Sequence, residues 1–222
     1  MEGRYLGSAF SFTNEGHFQG FDCFRSNQIA ELAGSVALAV KNYCAERKSL
    51  QRLVIHFYKR LSGKELKPVE KALAGLGLKI PVVVVSVNKS YSDDVVGFDM
   101  SQAYLMPVSG TYMPVGYNLY LLFNNQLIKG NEKLSDKEGY PFPLKITLQQ
   151  FLPGSSEHSD MSDEQVDVLL RQVCRFSQLY WKSVSRQWMP VTLRYPEMLA
   201  QIVPHFKYRD LSETGSENLW FL

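Results

Sequence analysis

Apolar positions along this chain recur with two different periods, and the changes between them mark out its elements. Tyr5 to Phe12 is rich in β-prone residues, Asn14-Glu15-Gly16 supplies a turn, and His17 to Phe24 answers it, which predicts a hairpin. Ile29, Leu32, Ala33, Val36, Val40 and Tyr43 then recur at helical spacing, so Ser26 to Arg47 is expected to be a helix. Leu53 to Tyr58, LVIHFY, reads as a short apolar strand. Lys64 to Leu76 is a second helix, with Leu66, Val69, Leu73 and Leu76 inward and Gly75 and Gly77 near its end. Ile80 to Val87, IPVVVVSV, is a continuous β-branched run of the kind found in a strand of a parallel pair buried on both faces.

The second half is less regular. SGTYMPVGYNLYLLFNN predicts a hairpin leading into a strand at Leu119 to Phe123, and Leu144 to Gln149 is a further strand. NEKLSDKEGYPFP and LPGSSEHSDMS are polar and rich in turn residues, and are expected to be loops. Ser162 with Gln165 forms a capping box that starts a helix running to about Tyr180, with Val166, Leu169, Leu170, Val173 and Phe176 inside. Trp188 to Tyr195 reads as extended, Pro196 as the opening of a helix with Met198, Leu199, Ile202 and Val203 on its apolar face, and Pro204 as its stop. Leu219, Trp220, Phe221 and Leu222 place large apolar side chains beside the terminal carboxylate, which predicts a tail tucked into the fold.

Hairpin, helix, strand, helix, strand is an α/β order. No repeat, heptad or domain boundary interrupts residues 1–222, so they are expected to form a single domain. Apolar residues make up 45% of the chain, enough for a sizeable core. The formal net charge of only +2 means that any nucleic-acid binding must come from local basic clusters. Cys23, Cys44 and Cys174 have no metal-like spacing and point to a reducing interior. With no signal-peptide pattern and no run near the roughly 18 apolar residues of a membrane span, the expected location is cytoplasmic, away from the membrane.

Candidate chemistry is sparse. Asp93 and Asp94 are adjacent and are expected in a solvated turn. His56 lies on an apolar strand and reads as a satisfied core histidine, while His17, His158 and His205 are scattered. No phosphate-binding GxxxxGK[ST] or GxGxxG loop is present. Nucleic-acid contact is the better use of the polar loops, because phosphates take Lys, Arg, Ser and helix N-termini while bases stack on aromatic faces. Three loops are expected to converge on one end of the sheet: Lys59 to Lys64, Asn88-Lys89-Ser90, and YWKSVSRQW with Lys182, Ser183, Arg186 and Trp188. Arg194 adds a further cation nearby in sequence.

PVTLRYPEMLA followed by a terminal LWFL resembles the end of the PIWI domain of prokaryotic Argonaute-like proteins, of the short or split, catalytically inactive type. The resemblance implies a ribonuclease-H-like fold, a mixed sheet flanked by helices. In that fold the first strand is central, and this chain begins at what looks like the second. Such a sheet would leave two inner edges unpaired, so the chain is expected to be a fragment, one half of a split protein, or the acceptor of a partner's strand.

Active members of that family hold two Mg²⁺ ions roughly 4 Å apart on carboxylates. Their first-strand Asp has no counterpart here, Glu31 falls at a second position but reads better as a solvated helix carboxylate, Tyr58 stands where a metal-binding Asp belongs, and Glu197 falls at the last position but reads better as a first-turn helix acid. A phenol does not replace a carboxylate on Mg²⁺, so no metal-dependent cleavage is expected. The resemblance also gives Leu222 one role, its carboxylate helping to hold Mg²⁺ or Mn²⁺ at a guide 5′-phosphate when a MID lobe is present. The implied partners are guide and target strands of RNA or DNA, a MID-containing chain or missing N-terminal portion, and an effector such as a nuclease, TIR or sirtuin-like protein in anti-invader defence. The alternatives are a ribonuclease-H-like nuclease completed by a partner chain and a structural subunit with a vestigial groove.

Overall fold

The computed structural model describes residues 7–24, 29–46, 50–90, 95–102, 105–124, 142–155, 160–180, 188–202, 219 and 221. Strands β1 (Gly7–Phe12) and β2 (Phe18–Phe24) form the expected antiparallel hairpin. Its turn is closed by the Thr13 N–H on the His17 carbonyl at 2.8 Å. Gly16 takes a φ of 92°, a left-handed position that glycine adopts without a steric penalty.

Helix α1 (Ile29–Glu46) leads to β3 (Leu53–Phe57), α2 (Gly63–Gly75) and β4 (Val82–Lys89). Then come β5 (Tyr112–Gly116), β6 (Leu119–Leu122), β7 (Leu144–Phe151), α3 (Asp163–Gln178) and α4 (Val191–Ile202). The second sheet has the order β3-β4-β7-β6-β5. It is mixed: β3 and β4 run parallel through the α2 crossover, and the remaining pairs are antiparallel. Among the described residues the hairpin does not join this ladder.

Strand β4 shows why its valine run carries no alternation. Val83, Val85 and Val87 pack with Ile146 and Leu148 against Leu169, Leu170 and Val173 of α3. Val82 and Val84 face the other way, into a core with Ala33 and Val40 of α1 and Val69 and Leu73 of α2. Helices therefore cover both faces, so apolar residues are favoured at every position. A third core is aromatic: Phe10, Phe12 and Phe21 of the hairpin meet Phe176 of α3, Tyr195 of α4 and Phe221 of the tail. Phe221 stands edge-on to Phe21 with centroids 5.9 Å apart and is buried, as the apolar tail composition suggested for it, while Trp220 and Leu222 lie outside the described residues.

Helix α3 starts on the expected capping box. The Ser162 hydroxyl accepts from the Gln165 N–H at 3.3 Å, and the Gln165 side-chain carbonyl accepts from the Ser162 N–H at 3.2 Å.

The stretch from Trp188 to Tyr195 departs from expectation. It does not run extended to Tyr195, because α4 begins at Val191 and encloses Pro196. Pro190 is the effective start: its carbonyl accepts from the N–H groups of Leu193 and Arg194, both at 2.9 Å. Burial decides the outcome. Val191, Tyr195 and Leu199 fall four residues apart on one helical stripe and are all buried. Pro196 gives up one hydrogen bond, to the Thr192 carbonyl, and burial of that stripe offsets the loss.

Candidate nucleic-acid interface

The C-terminal end of the parallel pair is where the site begins. Register places Phe57 beside Ser86, so β4 runs three residues past the end of β3. Asn88 and Lys89 occupy that overhang. Successive side chains alternate between faces. Asn88 therefore lies on the face of Val82, Val84 and α2, whereas Lys89 lies on the face of Val83, Val85 and α3. The expected grouping of the two residues is thus divided between opposite faces of the sheet.

Lys89 is exposed and lines a cleft of about 260 Å³ with Ser90, Phe142, Pro143, Leu144 and Trp188. The cleft joins the sheet end to the segment that opens α4. Ser90 is committed to structure, its hydroxyl and N–H both donating to the Pro143 carbonyl. Trp188 is pinned from behind: the Asn124 side-chain amide donates to the Trp188 carbonyl at 2.8 Å and to the Ser177 hydroxyl at 2.7 Å. Asn124 is almost wholly buried. Sequence reasoning misses its positioning role; the only signal is a polar residue closing the apolar run LYLLF.

The other expected cations are differently placed. Lys59 donates to the Glu65 carboxylate at 2.6 Å. The Lys59 hydrogen bond, then the Ser62 N–H and hydroxyl, hold the Glu65 carboxyl down to about 2, so this pair stays ionised at ordinary pH. Lys59 therefore offers a phosphate only part of its charge. Lys64 is exposed in the first turn of α2. Arg194 is tied along α4, its Nη1 donating to Glu197 at 2.7 Å, and its buried Nε has no partner among the described residues. Lys182, Ser183, Arg186 and Leu222 lie outside the described residues, as do Asp93, Asp94, His158 and His205.

The positions compared above with nuclease carboxylates do not assemble a metal centre among the described residues. Tyr58 is 61% exposed just beyond β3 and packs on Phe57, with ring centroids 4.7 Å apart. Glu197 is engaged by Arg194, and Glu31 is exposed in the first turn of α1.

His56 is half-buried on β3, and α3 and α4 pack on its ring. Its Nδ1 lies 2.6 Å from the Thr192 hydroxyl, and its ring stands edge-on to Phe176 at 5.7 Å. Burial pushes its pKa down to about 4, so the imidazole is neutral at pH 7. The unfolded chain then binds more protons than the folded one between about pH 4 and the ordinary histidine value of about 6.5. The stabilisation is complete above that window and falls as pH drops through it, by at most roughly 3 kcal/mol. The urea midpoint is expected to decline across the window, and His56→Asn is expected to flatten the decline. Parallel curves for the two proteins would mean another group is responsible.

No protein-family model and no curated protein sequence matches the chain. Solved structures do match. The Argonaute protein from Methanocaldcoccus janaschii aligns with 99% of this chain and 29% of its own, at a TM-score of 0.59 and 12% identity. The Marinitoga piezophila Argonaute in complex with 5′ OH guide RNA aligns with 87% of this chain and 29% of its own, at 0.56 and 10%. Aa-Ago with externally bound siRNA aligns with 93% of this chain and 29% of its own, at 0.52 and 13%. The chain thus spans less than a third of these proteins. At such identities the likeness is one of fold: an α/β domain similar to Argonaute PIWI folds and consistent with a ribonuclease-H-like architecture.

Proposed function

We propose that this chain is a non-catalytic, guide- and target-binding PIWI-like module of a prokaryotic Argonaute system. The observation that carries this reading is the Lys89–Trp188 cleft at the sheet end, in a fold shared with Argonaute proteins solved with guide DNA and guide RNA. A lysine and a tryptophan lining one cleft suit a strand read by backbone and stacking rather than by base sequence. Lys182, Ser183 and Arg186 extend that chemistry along the segment leading to Trp188. Anti-invader defence with an effector protein, and a MID lobe supplied elsewhere, belong to the same proposal. With that lobe in place, the Leu222 carboxylate would help hold Mg²⁺ or Mn²⁺, and the cation would neutralise charge at the guide 5′-phosphate.

Catalytic inactivity is part of the reading. Tyr58 offers no carboxylate, and Glu197 is already paired. Fluorescence anisotropy with a short 5′-phosphorylated guide and its complement, titrated across KCl, tests the binding. Affinity is expected to fall linearly with log salt, with no strand cleavage in Mg²⁺ or Mn²⁺. Salt-independent or absent binding would leave a structural subunit. Cleavage that Glu197→Gln abolishes would instead make the chain a nuclease.

A further inference from the structure

The cleft beside Lys89 is graded by depth. Pro143 and Leu144 are buried, Phe142 and Trp188 are half-buried, and Lys89 is exposed. Its inner surface is therefore apolar, two aromatic side chains from distant segments line its sides, and a cation stands at its rim. Buried polar groups hold both sides. The Asn124 amide uses both of its protons, one on the Ser177 hydroxyl and one on the Trp188 carbonyl, and neither Asn124 nor Ser177 is more than 1% exposed. Across the cleft, the Ser90 N–H and hydroxyl both donate to the Pro143 carbonyl, next to Phe142. Pairing of β4 with β7 sets Lys89 opposite Leu144. None of these contacts needs a ligand, so the cleft is preformed.

Size and chemistry select the occupant. At about 260 Å³ the cleft lies below the roughly 300–1,000 Å³ of sites for drug-sized molecules. It has room for one planar ring system and not for a double helix. A paired base shows only its groove edge, because stacking covers its faces. An unpaired base can swing out and lay a face on an aromatic side chain. A lysine at the rim suits the phosphate of such a nucleotide, and no acidic residue lines the cleft among the described residues. A second cavity, of about 230 Å³ and bounded by Tyr117, lacks this chemistry: Arg60 shares it with Glu70 and Asp160, whose charges repel a phosphate.

We propose that the Phe142–Trp188 cleft takes one unpaired nucleotide of a bound strand, its base against the aromatic side chains and its phosphate on Lys89. The cleft thereby distinguishes a bulge or an open end from continuous pairing. It does so with little regard to base identity, since every base has a π-face. This inference rests on the nucleic-acid reading above and adds that the strand is unpaired at this point.

The test uses the full chain and guide–target duplexes carrying one unpaired 2-aminopurine, placed in turn at each end and as a bulge at each internal position. Anisotropy gives the affinity relative to the fully paired duplex, and quenching of 2-aminopurine fluorescence reports stacking. At one position, or a short run of neighbouring ones, the unpaired base is expected to tighten binding about 10-fold, within the range for one base on an aromatic side chain, and to be quenched. Trp188→Ala is expected to abolish the preference and the quenching. Phe142→Leu is expected to lower both, and serves as the second variant should Trp188→Ala fail to fold. The ratio of the two affinities is the readout, so a general loss of charge-driven binding does not imitate the result. Equal affinities for paired and unpaired duplexes at every position would overturn the inference and leave the proposed function standing. Quenching that survives both substitutions would overturn it as well, because the base would then stack elsewhere. So would displacement of the 2-aminopurine by micromolar adenosine 5′-monophosphate, which would make the cleft a site for a free nucleotide. Absence of salt-dependent binding to every duplex would remove both readings.

Discussion

Replacing Lys89, Lys182 and Arg186 together by alanine is expected to weaken binding of a guide–target duplex about 100-fold at moderate salt. It should also flatten the log–log salt dependence by about 0.9 for each phosphate no longer neutralised. Lys89 is the structural anchor of this prediction: it is exposed, beside Trp188, and has no acidic neighbour in its cleft among the described residues. Lys59→Ala supplies the internal comparison. Its ammonium is already bonded to Glu65, so its removal is expected to cost far less than removal of Lys89. The binding isotherms decide the ranking. Equal losses from the two single variants would mean that nearby charge, rather than the cleft, governs affinity, and an unchanged salt slope in the triple variant would remove the groove from the proposed function.

The second large effect concerns the joint between hairpin and body. Tyr195→Ala is expected to destabilise the chain by about 3–5 kcal/mol, the range for deleting a buried aromatic side chain. Tyr195 is 2% exposed, and its ring lies 6.2 Å from each of Phe10, Phe12 and Phe221. It therefore joins α4, the hairpin and the tail. Because no ladder among the described residues connects the hairpin to the main sheet, packing of this kind is what holds it there. Amides of β1 and β2 are accordingly expected to exchange faster than those of β4 and β7 in this variant. Leu169→Ala, in the core under α3, should lower overall stability without that selective loosening. If the hairpin amides of Tyr195→Ala keep pace with β4, the hairpin is held by something other than this aromatic core.

Most elements of the chain are set by local pattern. The valine run of β4, the three-and-four spacing of α1 and the Ser162–Gln165 box of α3 each express a preference that a few neighbouring residues settle on their own. Helix α4 is the exception, because Pro196 looks like a beginning in sequence and lies inside the helix in the fold. The stripe of Val191, Tyr195 and Leu199 gains its force only from the Phe10, Phe12 and Phe176 rings it buries, and those come from distant parts of the chain.

The candidate site divides in the same way. Residue types suited to phosphate and base were legible at Lys59, Lys64, Asn88, Lys89 and Trp188. Which of them face one another was not. Sheet register sent Asn88 and Lys89 to opposite faces, Glu65 engaged Lys59, and buried Asn124 fixed Trp188 beside Lys89. The chain by itself determined its α/β class and most of its elements, because periodicity and capping act over a few residues. Only the tertiary structure decided the cleft and the paired state of the cations. Each of these depends on groups far apart in sequence, whose contacts are set by burial and strand register.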